Sequence, residues 1–260
     1  MGGVRAILPV AVLGALQGAT EFLPVSSSGH LVLWEHLLGT RGPGLTLEVG
    51  LHLGTLVAVL WYYGRDLVAT IRAGHGWIWY LALASLPAGV AGLTLRPVIS
   101  GLFTSLPATA LAWCVSGTVL LWVSRRPPGK QPLAALTAAD AWWIGLAQAC
   151  ALVPGISRSG ATIVAGLLCG LEPEEAMRFG FLLSVPAVGG AVALHAGALA
   201  AGPDGGVVLG GAVVAALTGL AAIRWAVGRV RAGALGWCGQ YCLGLGILVL
   251  LHVALTGEWR

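Results

Sequence analysis

The sequence is poor in charged residues. Of its 260 residues, 9% are Asp, Glu, Lys or Arg, whereas soluble globular proteins carry about 25%. Hydrophobic residues make up 57%, and 40 glycines leave little polar surface. This composition excludes a water-soluble fold, and it excludes intrinsic disorder, which requires low hydrophobicity and high net charge. The sequence therefore predicts an all-α polytopic membrane protein surrounded by lipid.

Paired cysteines and basic clusters are also missing. The five cysteines form no C-x-x-C pair and fall inside apolar stretches, where we expect them to act as small packing residues. The net charge of +4 is spread along the chain without a basic stripe, which excludes a nucleic-acid-binding protein. No small-residue cleavage site follows the first apolar run, so we expect no cleaved signal peptide.

Long apolar stretches dominate what remains. A transmembrane helix needs about 20 apolar residues. Regions 6–38 and 141–171 are interrupted in the middle by Pro, Gly and Ser, a pattern typical of re-entrant hairpins made of two short helices. The other apolar regions predict six transmembrane helices, at residues 49–64, 73–95, 97–124, 179–203, 205–223 and 232–257.

The two interrupted regions resemble each other. When Gly14 is placed over Gly145, 131 residues further on, twenty residues align without a gap and five are identical. The identical positions of the first region are Gly14, Gln17, Ser26, Ser28 and Gly29. Because the offset is half the chain, the sequence predicts an internal repeat. Three crossings in each half make the second repeat inverted relative to the first.

Each predicted repeat contains one hairpin and three crossings, and together they form one membrane domain. The first repeat covers residues 1–124 and the second covers 141–260, with a linker at 125–140. Nine basic residues lie on the side of the linker and four on the side of the termini. The positive-inside rule therefore predicts a cytoplasmic linker and external termini.

Few ionisable residues fall within the apolar regions. Glu21, His30 and Arg158 are the first candidates, and Glu48 and His52 form a second group at the start of the next apolar segment. An ionisable residue at membrane depth indicates a functional site. The alternative is that Glu21 and Arg158 only neutralise each other, but the serines around both of them favour a site.

The first interruption combines a carboxylate with hydroxyl groups. Gln17 and Glu21 are four residues apart, so on a helix they can present an amide oxygen and a carboxylate to one divalent cation. The serines that follow are Ser26, Ser27 and Ser28. A helix that begins again after them would direct free N–H groups at an anion.

The second interruption adds a cation. Arg158 is flanked by Ser157 and Ser159, and Thr162 follows on the same predicted helix. A guanidinium group suits bidentate phosphate recognition. Two anion-accepting turns would therefore face the carboxylate of Glu21, which predicts a phosphate site.

Both interruptions match a known family. Q-x-x-x-E-F-L-P-V-S-S-S-G-H from Gln17 and P-G-I-S-R-S-G-A-T from Pro154 resemble the bacterial undecaprenyl-diphosphate phosphatase family, also called bacitracin-resistance proteins. The likeness covers the whole chain in length, motif order and segment layout. It implies an integral membrane enzyme that uses Mg or Ca to remove the terminal phosphate of undecaprenyl diphosphate, which recycles this carrier lipid for peptidoglycan synthesis.

The resemblance also implies a location and partners. We expect the bacterial cytoplasmic (inner) membrane, an active site towards its outer face, and resistance to bacitracin, which competes for the substrate. The sequence does not decide whether the protein forms a homodimer.

The resemblance carries roles to individual residues. Family members have Glu or Gln at the first position of (E/Q)-x-x-x-E, so Gln17 leaves Glu21 as the only carboxylate of this pair. Glu21 and Gln17 are the expected metal ligands, and Glu21 could instead assist deprotonation. Arg158 is expected to stabilise charge on the transferred phosphoryl group. The expected phosphate-binding residues are Ser26, Ser28, Ser157, Ser159 and Thr162.

The attacking group stays open at this point. Ser27 is the expected nucleophile and His30 the expected acid or base, yet the sequence leaves either side chain able to attack phosphorus.

A transporter or flippase for polyprenyl-phosphate lipids is the main alternative function, because inverted repeats with hairpins are also a transporter architecture. A second lipid-phosphatase superfamily needs a later His paired with Asp, and no such pair follows Arg158.

Overall fold

The computed structural model describes most of the chain. The described residues are 3–38, 45–74, 76–194, 197, 205–231 and 234–257. Within these ranges every regular element is helical, and the only β contact is an isolated parallel bridge between Gln131 and Leu171. The all-α prediction is therefore confirmed for this part of the chain.

The helices of the first half differ widely in length. They are α1 (Gly3–Phe22), α2 (Ser27–Leu38), α3 (Leu45–Arg72), α4 (Trp77–Thr94), α5 (Arg96–Leu102) and α6 (Leu106–Ser124). A single 3₁₀ turn follows at Leu133–Ala135. The helices of the second half are α7 (Ala138–Cys150), α8 (Arg158–Leu168), α9 (Pro173–Leu182), α10 (Ser184–Leu194), α11 (Gly205–Arg231) and α12 (Gly236–Thr256).

Five described segments are long and apolar enough to cross a membrane. They are α4, α6, the combined pair α9–α10, α11 and α12. Large apolar side chains cover their outer surfaces: Leu255 is 88% exposed and Trp79 is 77% exposed. Side chains of this kind are stable against lipid, where they need no polar partner.

The predicted segments differ from the observed helices in three places. The predicted crossing at 49–64 lies inside α3, which also contains Arg65, Asp66 and Arg72 and is not among the five apolar segments, so this sixth crossing stays a prediction. The predicted crossing at 97–124 is divided between α5 and α6. Ser105 causes this division, because its Oγ caps α6 by accepting the N–H of Ala108 at 3.3 Å.

The third difference concerns the predicted crossing at 179–203. Its helix begins earlier, at Pro173, where a proline in the first turn and the acidic residues after it favour a helix start. Its predicted end, at residues 195, 196 and 198–203, lies outside the described residues.

Both predicted interruptions are present. Residues 23–26 separate α1 from α2, and residues 151–157 separate α7 from α8. Ser26 has a φ of 68° and Gly155 a φ of 96°, so each break turns the chain through the left-handed region. The Oγ atoms of Ser26 and Ser157 then accept N–H groups in the first turns of α2 and α8.

Helices from the two halves pack against each other. α1 lies along α11, α7 lies along α4, and α6 lies along α12. Glycines allow the backbones to approach: a Cβ atom on Gly14 would lie 2.5 Å from the carbonyl oxygen of Gly211, and one on Gly145 would lie 2.6 Å from that of Ala84. This packing brings the two breaks together.

Candidate active site

The two breaks are joined by hydrogen bonds. The N–H of Gly155 donates to Ser26 Oγ at 3.1 Å, and Ser159 Oγ donates to the carbonyl oxygen of Leu23 at 3.0 Å. These bonds link turns that are about 130 residues apart in sequence, as the sequence predicted for facing turns. Polar groups that would otherwise stay unpaired within an apolar bundle are satisfied between the turns.

A polar cavity of about 220 Å³ lies where the two breaks meet α3. Glu21, Ser27 and Arg158 line it together with Glu48 and His52. Four of the five ionisable candidates from the sequence therefore line one cavity, and His30 does not.

Glu21 is the centre of the polar contacts in this cavity. Its Oε1 is bound by Nη2 of Arg158 at 2.5 Å, and its Oε2 accepts from Ser27 Oγ at 2.7 Å and from Gln17 Nε2 at 2.9 Å. Its side chain is only 6% exposed, so the Arg158 guanidinium compensates the charge of a largely buried carboxylate. Three of the predicted site residues thus share one carboxylate.

His52 extends this network. Its Nδ1 lies 3.1 Å from Gln17 Nε2 and 3.9 Å from Glu21 Oε1. Gln17 Oε1 and Arg158 Nη1 are two of five side-chain polar atoms that are buried without a hydrogen-bond partner within the described residues. Since Arg158 uses Nη2 for Glu21, its second amino group remains a donor for an incoming anion.

Three of the predicted phosphate-binding serines line the cavity, but their hydroxyl groups are already engaged. Ser26 Oγ lies 3.3 Å from Ser28 Oγ, and Ser157 Oγ lies 3.1 Å from Ser159 Oγ. Ser26, Ser28 and Ser157 line the cavity at the beginnings of α2 and α8.

Ser159 and Thr162 do not reach the cavity. Ser159 donates to Leu23, and Thr162 Oγ1 donates to the carbonyl oxygens of Arg158 and Ser159 at 3.0 and 3.2 Å. Both side chains are buried. In the structure these two hydroxyls bind backbone carbonyl oxygens next to the break, and their binding of phosphate stays a prediction.

His30 makes two hydrogen bonds beside the first break. It does not line the cavity; its Nδ1 donates to the carbonyl oxygen of Ser26 at 2.7 Å, and its Nε2 accepts from the hydroxyl of Tyr241 at 2.7 Å. The ring stacks on Tyr241 with a centroid distance of 5.8 Å. Both nitrogens are thus engaged with Ser26 and Tyr241, which holds the ring beside the break, and a role of His30 as acid or base stays a prediction.

Two residues that support the first break, Tyr241 and Trp113, were not predicted from the sequence. The indole Nε1 of Trp113 donates to the carbonyl oxygen of Val25 at 3.0 Å, and a Cβ atom on Gly29 would lie 2.8 Å from its ring. Trp113 is fully buried and packs edge-on against His30. Because both lie in ordinary apolar helices, only three-dimensional contacts identify them.

The donor set can be compared with the needs of a divalent cation. The described residues contain no group of three His, Cys, Asp or Glu side chains that could hold a metal alone. Mg²⁺ is commonly bound through one or two carboxylates together with substrate phosphates. Glu21 and Glu48 both line the cavity, and Gln17, which contacts Glu21, keeps an unpaired oxygen, so these residues fit a cation whose remaining ligands come from a phosphate.

The fold and the site define a class of protein. Apolar helices long enough to cross a bilayer enclose a polar cavity with a buried Glu–Arg ion pair, which makes this a multi-pass helical membrane protein. The chain belongs to the family described as bacitracin resistance protein BacA, whose family model matches residues 10–248.

Curated relatives are similar over nearly their whole length. A protein of Desulfatibacillum aliphaticivorans is 38% identical, with 94% of this chain and 98% of the relative covered. One of Desulfosudis oleivorans is 40% identical over 92% and 96%, and one of Moorella thermoacetica is 37% identical over 94% and 95%. All three relatives are named undecaprenyl-diphosphatase.

Proposed function

We propose that this chain is an undecaprenyl-diphosphate phosphatase, which converts the carrier lipid to undecaprenyl phosphate and inorganic phosphate. The family and the names of its relatives support this function. The observation that carries it is the Ser27–Glu21–Arg158 arrangement, in which one carboxylate contacts both a hydroxyl and a guanidinium within the cavity. This arrangement suits phosphoryl transfer, which depends on positioning and charge stabilisation.

In the first step Ser27 Oγ attacks the terminal phosphorus. The Oγ–P bond forms, the bond from phosphorus to the bridging oxygen breaks, and undecaprenyl phosphate leaves. Glu21 Oε2, at 2.7 Å, takes the hydroxyl proton. Arg158 Nη1 and the first N–H groups of α2 and α8 stabilise the transferred phosphoryl group.

In the second step water attacks the phosphoserine. The new P–O bond forms, the Oγ–P bond breaks, and Glu21 returns its proton to Ser27 Oγ. Both protons of the attacking water leave with the inorganic phosphate. Ser27, rather than His30, is the proposed nucleophile because Ser27 lines the cavity and contacts the base.

A divalent cation, Mg or Ca, belongs to the proposal. Glu21, Gln17 and Glu48 would hold it together with phosphate oxygens, and it would neutralise charge on the diphosphate. Glu48 adds a carboxylate that compensates for Gln at position 17.

The inverted repeat is a further part of the proposal, and equivalent hydrogen bonds support it. Ser26 and Ser157 each cap the next helix by accepting from a glycine, at 3.3 and 3.1 Å. The helix pair α1–α11 corresponds to α7–α4 when the halves are exchanged with the offset of 131 residues. We propose that α1–α2 and α7–α8 are the two re-entrant hairpins and that α3 supplies the sixth crossing.

An apolar groove beside the cavity is the proposed binding site of the isoprenoid tail. It has a volume of about 250 Å³ and runs between α6 and α8, with Val115, Val119, Ala161 and Val164 in its walls. Ile156 lines both this groove and the polar cavity, so a lipid with its diphosphate at Arg158 could lay its tail in the groove.

The proposed location is the bacterial inner membrane, with the cavity open to the outer side. Glu48 and Phe103, which line it, lie near helix ends on the side of the termini. The count of basic residues from which this orientation was predicted includes Arg41 and Arg260, and both lie outside the described residues. A single cysteine in place of Leu152, in a background without native cysteines, should react in intact cells with an impermeant thiol reagent.

Phosphate release from undecaprenyl diphosphate by the purified chain in detergent tests the proposed function. We expect release that stops with a chelator, returns with Mg or Ca, and is lost in Arg158→Ala. Expression should raise resistance to bacitracin, which binds the same substrate. Lipid binding without phosphate release by the unaltered protein would refute the phosphatase and favour the transporter.

A further inference from the structure

We infer that His52 is a substrate-binding residue of this site, held in one tautomer by Gln17 so that its Nε2–H donates to the diphosphate. This inference rests on the proposed function and adds a phosphate ligand to it. Three contacts, which lead from Arg158 through Glu21 and Gln17 to His52, support it.

The carboxylate of Glu21 fixes the orientation of the Gln17 amide. Glu21 Oε1 is paired with Arg158, so the carboxylate is ionised and can only accept hydrogen bonds. The atom of Gln17 that lies 2.9 Å from Glu21 Oε2 must therefore be the NH₂ group, because an amide oxygen there would face another oxygen.

The Gln17 amide in turn fixes the tautomer of His52. The same NH₂ group lies 3.1 Å from His52 Nδ1, and it has a second proton to donate. Because Gln17 Nε2 can only donate, Nδ1 must accept. The proton of the neutral imidazole is then on Nε2.

The remaining nitrogen of His52 is directed to the cavity. His52 lines the cavity with a side chain that is 30% exposed, and its Nδ1 makes every contact of the ring with the described polar residues. Nε2–H is thus a fixed donor on a side chain that lines the same cavity as Arg158 but belongs to a different helix, where the diphosphate is proposed to bind. A site with Gln at position 17 can therefore still orient its substrate. The Gln17 amide fixes the tautomer of His52, and His52 then contacts the diphosphate where a second carboxylate at position 17 would not be available to do so.

Two substitutions of similar polarity separate the roles of the two nitrogens. In His52→Gln the side-chain amide can place an NH₂ group near the position of Nε2, whereas in His52→Asn the amide reaches only the position of Nδ1. We expect kcat/KM for undecaprenyl diphosphate to fall about 10- to 100-fold in His52→Asn, the effect of losing one hydrogen bond to a charged group. His52→Gln should lose less and keep at least about fivefold more kcat/KM than His52→Asn, because only its amide reaches the position of Nε2.

The loss in His52→Asn should be mainly in KM, because the donor contacts the diphosphate in the ground state as well as in the transition state. Binding gives a second readout: in a Ser27→Ala background, undecaprenyl diphosphate should raise the thermal midpoint less with His52→Asn than with His52→Gln. Equal thermal midpoints of the two lipid-free variants would exclude a folding defect as the cause.

Every other pattern overturns the inference. Two fully active variants, two equally weakened variants, or a weaker His52→Gln would each show that Nε2 does not bind the substrate. Failure of the proposed function is distinguishable, because the unaltered protein would then release no phosphate at all.

Discussion

Ser27 and Glu21 share a hydrogen bond of 2.7 Å across the first helix break, six residues apart in sequence. The other oxygen of the same carboxylate is held by Arg158 from the second break. One side chain thus receives a hydroxyl from its own hairpin and a cation from the other. Removal of any of the three groups should have a different effect on activity and on stability.

Ser27→Ala should abolish turnover. Without Oγ no phosphoserine can form, so kcat should fall at least about 10³-fold, as expected for loss of a nucleophile. Rapid quenching of the unaltered protein with labelled substrate should trap phosphate on Ser27. Ser85→Ala is a matched control, because Ser85 Oγ only donates to the carbonyl oxygen of Leu81 in α4. Trapped phosphohistidine, or an active Ser27→Ala variant, would contradict the mechanism.

Glu21→Gln should lower both activity and stability. The substitution removes the proposed base and leaves the Arg158 guanidinium without its counter-charge, which costs roughly 3 kcal/mol in a buried pair. The double variant Glu21→Gln/Arg158→Gln should recover much of that stability and remain inactive. Thermal unfolding in detergent and phosphate release measure the two effects. A double variant as unstable as the single one would argue against charge pairing as the cause.

His30→Asn should keep most of its activity. Asparagine can still donate to the carbonyl oxygen of Ser26, which is the bond that His30 Nδ1 makes. We expect kcat/KM within about tenfold of the unaltered protein, whereas loss of an acid or base would lower it by about 10²- to 10⁴-fold. Tyr241→Phe is the companion variant: it removes the partner of Nε2 and should destabilise the fold by about 1 kcal/mol with little kinetic change.

Gly29→Ala should destabilise the first break. The added Cβ would lie 2.8 Å from the ring of Trp113, which is buried and cannot retreat, so we expect a loss of about 1–3 kcal/mol. Gly89→Ala in α4 is the control, because a Cβ there meets no atom within 4 Å and alanine favours a helix. The thermal midpoints of both variants in detergent give the comparison.

Ala161→Trp should weaken binding of long lipids only. The indole would fill the groove between α6 and α8 and raise KM for undecaprenyl diphosphate, by about tenfold or more if several methylene contacts are lost. A short-chain prenyl diphosphate, which does not reach the groove, should be hydrolysed as before. Ala82→Trp on the exposed surface of α4 serves as the control. Equal losses for both lipids would point to damage at the polar cavity.

The sequence predicted the parts of the site that depend on chemistry and local order. Scarcity of charge identified Glu21 and Arg158, and the repeat indicated that their turns would meet. The breaks themselves were predictable because proline and glycine weaken an apolar helix, and serine is favoured at the position just before a new helix begins.

Side-chain direction was not predictable. His30 and Ser27 are three residues apart, yet the left-handed backbone at Ser26 and the hydroxyl of Tyr241 turn the imidazole away from the cavity while Ser27 lines it. His52 came within reach of Gln17 only through the packing of α3, 35 residues away. Ser159 and Thr162 match the motif, but backbone carbonyls at hydrogen-bonding distance take their hydroxyls.

The packing of α1 against α11 affects the order of biosynthesis. The amino-terminal helix has its most extensive contact with a helix that begins at Gly205, and Glu21 is separated by 137 residues from its cation at Arg158. A ribosome must therefore deliver most of the chain to the membrane before the carboxylate is neutralised and its helix is enclosed. A nascent chain arrested within its first half has every residue of the first hairpin and no active site.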